Sequence, residues 1–528
     1  VVLKTHQLAF WIVCFHASVG HAALLPEQTL VVHTSEPPEA VGLAQNYAQG
    51  RGITRLCELA GEFPSIVSLE RYNTEIWPAI NRCMQDRPTS TIVTIKGLPI
   101  RVANYSLEAL LTLGDSMGRN GPLRQQDRSE LPLLRNPLAP SPYDGMAWLQ
   151  ANRFPAPFSV NIGSEFNLDL RIVSRIDALT FAAAQGLIER GRQSDQMPPD
   201  GRWLCMQGSD PPRAVRDQEC AAVLGLLEQA GWIDEPLLMS FDRQLSEQRL
   251  TAYFTGSADL RQAIAGNRYP NGAIADNITS LMGVPRNFQT FGPCQEDADC
   301  DQGLCVAERC IEEQQTAIGR LIAAGITGTH AATAEPYNNT FPSTLVLALY
   351  RAGYSLGESF FYALPFLGWV NTFYGDPLAA PFAQPADLTE LPDQLTLNAL
   401  GYADLELSAP PGWQLTRAAW LRDGSLWHSE TFSPEAEQAT FDWQPPALGA
   451  YKLRVWTRPL PTDGPISLWP RNEAMSQKMI LLVAADPIEP AKPPEPAQGC
   501  GCSHLPLLSS LLLVSLGLRQ RRAPQRGD

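Results

Sequence analysis

Between Thr29 and about Phe382, short apolar runs alternate with amphipathic stretches, and that alternation limits the chain to a small set of folds. The strand-like runs are Thr29–His33, Thr91–Ile95, Leu168–Ile176, Trp203–Met206, Leu237–Phe241 and Ala252–Thr255. Helical periodicity fills the intervals at Ala40–Gln49, Thr74–Met84, Phe181–Arg190, Ala221–Ala230 and Thr316–Ala324. Strand and helix in turn predict an α/β domain over residues 27–384, with a parallel sheet covered by helices on both faces. Gly114–Pro157 breaks the pattern with Pro, Arg and polar residues, and reads as a long surface excursion.

Two further segments have a different character. Residues 292–311 space four cysteines as C-x5-C-x4-C-x4-C among acidic residues, a module too short to bury a core of its own. From about Gln384 the period changes to short strands divided by Pro, Gly and Asp: Leu395–Leu400, Asp404–Leu407, Ala418–Arg422, Ala439–Trp443, Tyr451–Thr457 and Lys478–Val483. Residues 385–486 therefore read as an immunoglobulin-like β-sandwich.

The ends carry export signals. Lys4 and His6 precede the apolar stretch Leu8–Phe15, and Gly20–Ala23 supply small residues for cleavage, so residues 1–23 read as a signal peptide. Residues 487–499 form a proline-rich linker. Residues 500–528 combine Cys500 and Cys502, an apolar stretch Leu505–Leu518 and the cluster Arg519, Arg521 and Arg522. As a helix that stretch spans about 21 Å, short of the roughly 30 Å bilayer core, and the charges following it mark a sorting or anchor tail. A permanent short membrane anchor is the alternative. The tail resembles the C-terminal tag of myxobacterial surface proteins. That resemblance implies removal near the cysteine, lipidation, handling by envelope sorting machinery and a cell-surface location.

Export permits disulfides. Without Cys14, Cys500 and Cys502, eight of the eleven cysteines remain. Cys57 can pair with Cys83, and Cys205 with Cys220, the latter closing a loop worth about 3 kcal/mol in the chain-entropy model. Cys294, Cys300, Cys305 and Cys310 form a cluster whose pairing the spacing leaves open. A net charge of −15, with no basic stripe, argues against nucleic acid as a partner.

Few motifs carry chemistry. Gly114–Gly118 matches G-x-S-x-G around Ser116, but a helical pattern precedes the serine where a nucleophile elbow needs a strand. Asp297, Asp299, Asp301 and Glu308 fit positions 1, 3, 5 and 12 of a calcium loop, yet Gln302 stands where the glycine belongs. No metal and no cofactor is expected. Lys96 and Arg101 follow an apolar strand, where α/β sheets bind ligands. Gly325–His330 leads into Glu335-Pro336-Tyr337-Asn338-Asn339, an unusual density of polar groups for packing alone.

Leu30–Gly52, Ile92–Arg101, Ala273–Gly283, Ala323–Pro342 and Tyr374–Pro381 together resemble an uncharacterised family of exported bacterial proteins, similar in fold to caspase and gingipain-type cysteine peptidases. The ending Gly375-Asp376-Pro377-Leu378 is shared with gingipain-like domains. The resemblance implies a caspase/gingipain-like domain and a His–Cys dyad. Members of the family often carry histidine where Asn277 stands and cysteine where Tyr337 stands, and neither replacement supplies an imidazole base or a thiolate. The expected ligand cleft comprises Lys96, Arg101, Asn277, His330, Glu335, Tyr337 and Asp376, with no catalytic residue. The expected function is a surface-anchored binding or adhesion protein for a peptide, polysaccharide or protein ligand. The alternative is a peptidase-like hydrolase with a non-standard active site.

Overall fold

A computed structural model describes residues 21–22, 24–85, 87–114, 134–240, 245–300, 304–306, 308–312, 315–423, 425–462 and 465–484. The expected signal peptide (but for His21–Ala22), Ser116, the linker and the tail with Cys500 and Cys502 lie outside the described residues. No described helix is long and apolar enough to cross a membrane.

Ten strands form the main sheet: β1 (Thr29–Thr34), β2 (Leu56–Leu59), β3 (Thr91–Ile95), β4 (Ile172–Ile176), β5 (Arg202–Met206), β6 (Leu237–Ser240), β7 (Leu250–Thr255), β8 (Ile274–Asn277), β9 (Gly328–Ala332) and β10 (Asn371–Gly375). Their spatial order is β6-β5-β7-β8-β9-β10-β4-β3-β1-β2. Each neighbouring pair is parallel except one. β9 and β10 are antiparallel, with Gly328 opposite Gly375 and Ala332 opposite Asn371. The expected all-parallel sheet is thus two parallel halves of five strands, joined along one antiparallel seam.

β1 and β3 are buried along their whole length because both faces of the sheet are covered there. Along β1 and β3, Leu30, Val32 and Ile92 enter one core, while Val31 and Val93 enter the other, as the two-residue period requires. Helices α1 (Pro38–Arg51), α2 (Trp77–Met84), α3 (Leu107–Leu113), α4 (Phe181–Ser194), α5 (Asp217–Gln229), α6 (Ile318–Ala323), α7 (Leu345–Arg351) and α8 (Leu356–Ala363) surround the sheet. Their ends are written in the sequence. Pro38 opens α1, and Gly52 closes it at φ 66°. Ser106 and Thr180 cap α3 and α4 through their side chains, and Ser355 with Glu358 forms a capping box on α8.

The stretch expected to be a surface excursion is partly core. Asn136, Leu149 and Phe154 are buried, and the Asn136 amide donates to Phe361 O and Leu364 O at 2.9 Å each.

After the α/β part come β11 (Gln394–Thr396), β12 (Ala403–Ser408), β13 (Trp413–Arg422), β14 (Ser425–Thr431), β15 (Gln438–Trp443), β16 (Gly449–Pro459) and β17 (Ala474–Val483). Sheet β17-β16-β13-β14, extended by β11 and by His21–Ala22 along β17, and the pair β12–β15 enclose one core. Trp420 stands at its centre against Phe441, Trp443 and Tyr451.

Disulfides join Cys57 to Cys83 and Cys205 to Cys220. In the small module, Cys294 pairs with Cys305 and Cys300 with Cys310. Asp299 accepts from the backbone N–H groups of Gln295 and Glu296 at 2.7 and 3.1 Å, so that carboxylate closes a turn.

Asp376, expected in the ligand cleft, is instead a buried structural group. It accepts from Tyr47 Oη at 2.7 Å and Arg51 Nε at 2.6 Å, while Arg51 also pairs with Asp195. One guanidinium serves two buried carboxylates. Burial pushes the Asp195 carboxyl up to about 6, outweighing Arg51 and the Ala380 N–H. Because the folded state favours protonated Asp195, its stabilisation is full below the unfolded carboxyl range and is lost as pH rises through about 6. Unfolding free energy should therefore decline between about pH 4 and 7, by an amount on the order of 2 kcal/mol, and Asp195→Asn should flatten that decline. Denaturant titrations at several pH values check this, and parallel pH curves for both proteins would contradict it.

Candidate functional site

The antiparallel seam decides which loops meet. β8 and β9 end at the sheet edge where β10 and β4 begin. The segments following Asn277 and Ala332 thus share an edge with the loop preceding Asn371. Lys96 follows β3 and Asp376 follows β10, so both lie at the opposite edge, roughly 13 Å away along the strands. Lys96 Nζ donates to Asp177 Oδ1 at 3.1 Å and to Ala178 O at 2.7 Å. The expected single cleft accordingly divides, and Lys96 and Asp376 leave it.

Asn277 is 1% exposed. Its Oδ1 accepts from Ser257 N at 2.7 Å, and its Nδ2 donates to Ser257 O at 2.8 Å. The side chain thereby extends the ladder between β7 and β8 by one rung. Both faces of the amide are spent on backbone, so it is no free surface group.

Tyr337 has the opposite character. It is 61% exposed, and its ring lies 5.2 Å from that of Trp369. Beside it, Ser280 Oγ donates to the exposed Glu335 at 2.6 Å, linking the segment after β8 to the one after β9. Asn338 Nδ2 reaches Pro212 O at 3.1 Å. Arg101 belongs to a small hairpin with Ser106, whose N–H donates to Trp369 O at 2.7 Å and whose hydroxyl donates to Asn371 O at 2.7 Å. Arg101 therefore borders this edge through the backbone of the Trp369 loop.

His330 lies beneath the surface, 2% exposed. Its Nδ1 faces Asp276 Oδ1 at 3.3 Å, and its Nε2 faces Asn371 Oδ1 at 3.0 Å. Asn371 Nδ2 donates to Thr340 O at 3.2 Å, which turns its carbonyl toward the imidazole. Both ring nitrogens thus lie against side-chain oxygens. Asp276 also pairs with Arg216, which reaches Pro342 O at 2.9 Å. Burial pushes the Asp276 carboxyl up, but Arg216 and His330 together outweigh it and hold it below the usual range. The network ties β8, β9 and β10 to residues 340–342. It spends the imidazole on structure.

Every cysteine in the described residues is half of a disulfide. The sulfurs of Cys294, Cys300 and Cys310 lie within 4.8 Å of one another because two bridges adjoin there, and oxidised sulfur is not a thiolate ligand. Sequence reasoning missed Ser280, Trp369, Asp276, Asn371 and Arg216. The available signal was Asp276, a carboxylate inside the apolar run Ala273–Ile278.

No family model matches the sequence, and no curated protein matches it. Among solved structures, the chain is similar to one described as "Structure of Protease", at 12% identity and a TM-score of 0.40, over 86% of this chain and 97% of that one. It is also similar to the complex of Porphyromonas gingivalis RgpB pro- and mature domains, at 11% identity and a TM-score of 0.38, over 86% of this chain and 100% of that one. Scores this low carry neither a fold nor a chemistry across to this chain.

Removing the charge of Asp276 leaves Arg216 buried without its anion. Asp276→Asn should cost about 3–5 kcal/mol at neutral pH. Since the folded carboxyl lies below its unfolded range, its stabilisation is present above that range and disappears as pH falls through the folded value. Asp276→Asn should therefore lose most at pH 7 and little in strong acid. Denaturation midpoints at both extremes test this, and an equal loss at both would contradict it.

Proposed function

We propose that this chain is an exported, surface-displayed binding protein, and that the surface over the ends of β8 and β9 receives its ligand without breaking a bond. In this reading the α/β domain is a caspase/gingipain-like fold that has lost its peptidase chemistry. The following segment is an immunoglobulin-like module that orients it, and the tail anchors it through the envelope sorting machinery and the membrane. The observation that carries the reading is the state of the reactive groups. All eight described cysteines are disulfide-bonded, Asn277 is bound to backbone on both sides, and both nitrogens of His330 are engaged in a buried network. A thiolate mechanism needs a free sulfur next to a mobile base. What the edge presents instead is Tyr337 on Trp369, an aromatic platform of the kind that anchors ligands. Four disulfides also favour an oxidising location outside the cytoplasm.

One contact favours the hydrolase alternative: Ser280 Oγ on Glu335 at 2.6 Å, a hydroxyl beside a carboxylate base. The discriminating experiment incubates the full chain with a broad peptide pool and follows cleavage by mass spectrometry. No turnover is expected, with or without a thiol-directed inhibitor. Turnover abolished by Ser280→Ala and by Glu335→Gln would establish the hydrolase, and inhibitor-sensitive turnover would refute the binding reading outright.

A further inference from the structure

Beneath the strand ends, α3, α8, β4 and β10 leave a hollow of about 50 Å³. Phe360, Phe361, Phe373, Leu364 and Leu367 form much of its wall, and Ala109 faces it from α3. Pro342, Gly368 and Asn371 bring it to the edge described above, since Asn371 begins β10 and Gly368 precedes Trp369.

The polar side chains of this wall are already engaged with one another and with the backbone. Glu108 Oε1 accepts from Thr94 Oγ1 at 2.7 Å and Arg175 Nε at 2.9 Å, and its Oε2 accepts from Thr372 Oγ1 at 3.1 Å. Thr112 Oγ1 donates to Glu108 O at 2.9 Å. His330 and Asn371 are engaged with each other, with Asp276 and with Thr340. A hollow of this size has room for water, but water needs two to four polar partners there, and apolar hollows without them stay dry.

We propose that this hollow is an apolar subsite that takes a small aliphatic side chain from a peptide bound across the strand ends. The proposal rests on the binding reading of that surface. Its chemistry selects among the ligands that reading allows. A sugar would bury hydroxyls against walls whose polar side chains are already engaged, and each hydroxyl left unpaired there weakens binding. A lipid chain is too long for a space about a third of the ~150 Å³ cavity that accepts benzene. An alanine- or valine-sized group fits in size and polarity, while Tyr337, Trp369, Glu335 and Asn338 remain outside for the rest of the peptide.

The test has two arms, both on the full chain. The first measures xenon-129 NMR shifts under xenon pressure, for the natural chain, for Ala109→Val, which narrows the hollow, and for Leu367→Ala, which widens it. Xenon should enter the natural hollow and be excluded by Ala109→Val, and Leu367→Ala should admit benzene as well. The second arm measures binding to a pentapeptide array varied at one central position among Gly, Ala, Val, Phe and Lys. Small aliphatic residues should be preferred by about tenfold or more, and Ala109→Val should erase the preference. Xenon that fails to enter, or that enters Ala109→Val equally, would overturn the proposal. Peptide binding indifferent to the central residue would overturn it while leaving the binding surface standing. Xenon entry with no peptide bound at all would overturn the peptide reading of the whole surface.

Discussion

The antiparallel contact between β9 and β10 is the constraint on which the rest depends. Two five-stranded parallel halves meet there, and because β10 runs against β9, the ends of one half coincide with the beginnings of the other. Ligand sites in parallel sheets gather at carboxyl ends. Here the seam splits those ends between two opposite edges. Arg51, Asp195 and Asp376 seal one edge as packing, while the other carries Tyr337, Trp369, Ser280 and Glu335. His330 and Asn371 face each other across the seam itself, so the hydrogen bonds that hold the halves together also shape the floor of the candidate site.

Buried charge recurs at both edges and in between. Arg175 is fully buried on β4 between Glu108 and Asp177, at 2.9 and 3.0 Å, with further donation to backbone carbonyls after β3. Burial disfavours its cation, but the two carboxylates outweigh that and hold it charged. Such clusters add little net stability over apolar packing, yet removing one member is costly. Arg216 with Asp276, and Arg51 with its two carboxylates, act in the same way.

Much of this was legible in the sequence where the physics is local. β1, β3, β5 and the helices α1, α2 and α4 announce themselves through periodicity, and both simple disulfide pairs follow from cysteine placement. β9 (GTHAA) and β10 (NTFYG) do not, because buried Gly, Thr, His and Asn interrupt their apolar pattern, His330 and Asn371 meeting across the seam. β14 was missed for a related reason: it is an edge strand, mostly exposed, with Leu426 and Trp427 facing out. Lys96 and Asp376 were misplaced because strand direction is long-range information. Each does follow a strand, but the reversal at the seam sends that end away from Asn277. Asn277 and Tyr337 were singled out as substitutions, and only the structure distinguishes the buried amide that repairs a ladder from the exposed ring that meets solvent.

Native mass spectrometry of the full chain with a captured peptide ligand tests the central claim most directly. The account predicts a noncovalent complex in which the ligand is recovered intact after prolonged incubation, and it predicts that Tyr337→Ala and Trp369→Ala each deplete that complex without altering the fold. A covalent adduct, a cleaved ligand, or a complex indifferent to both substitutions would contradict it.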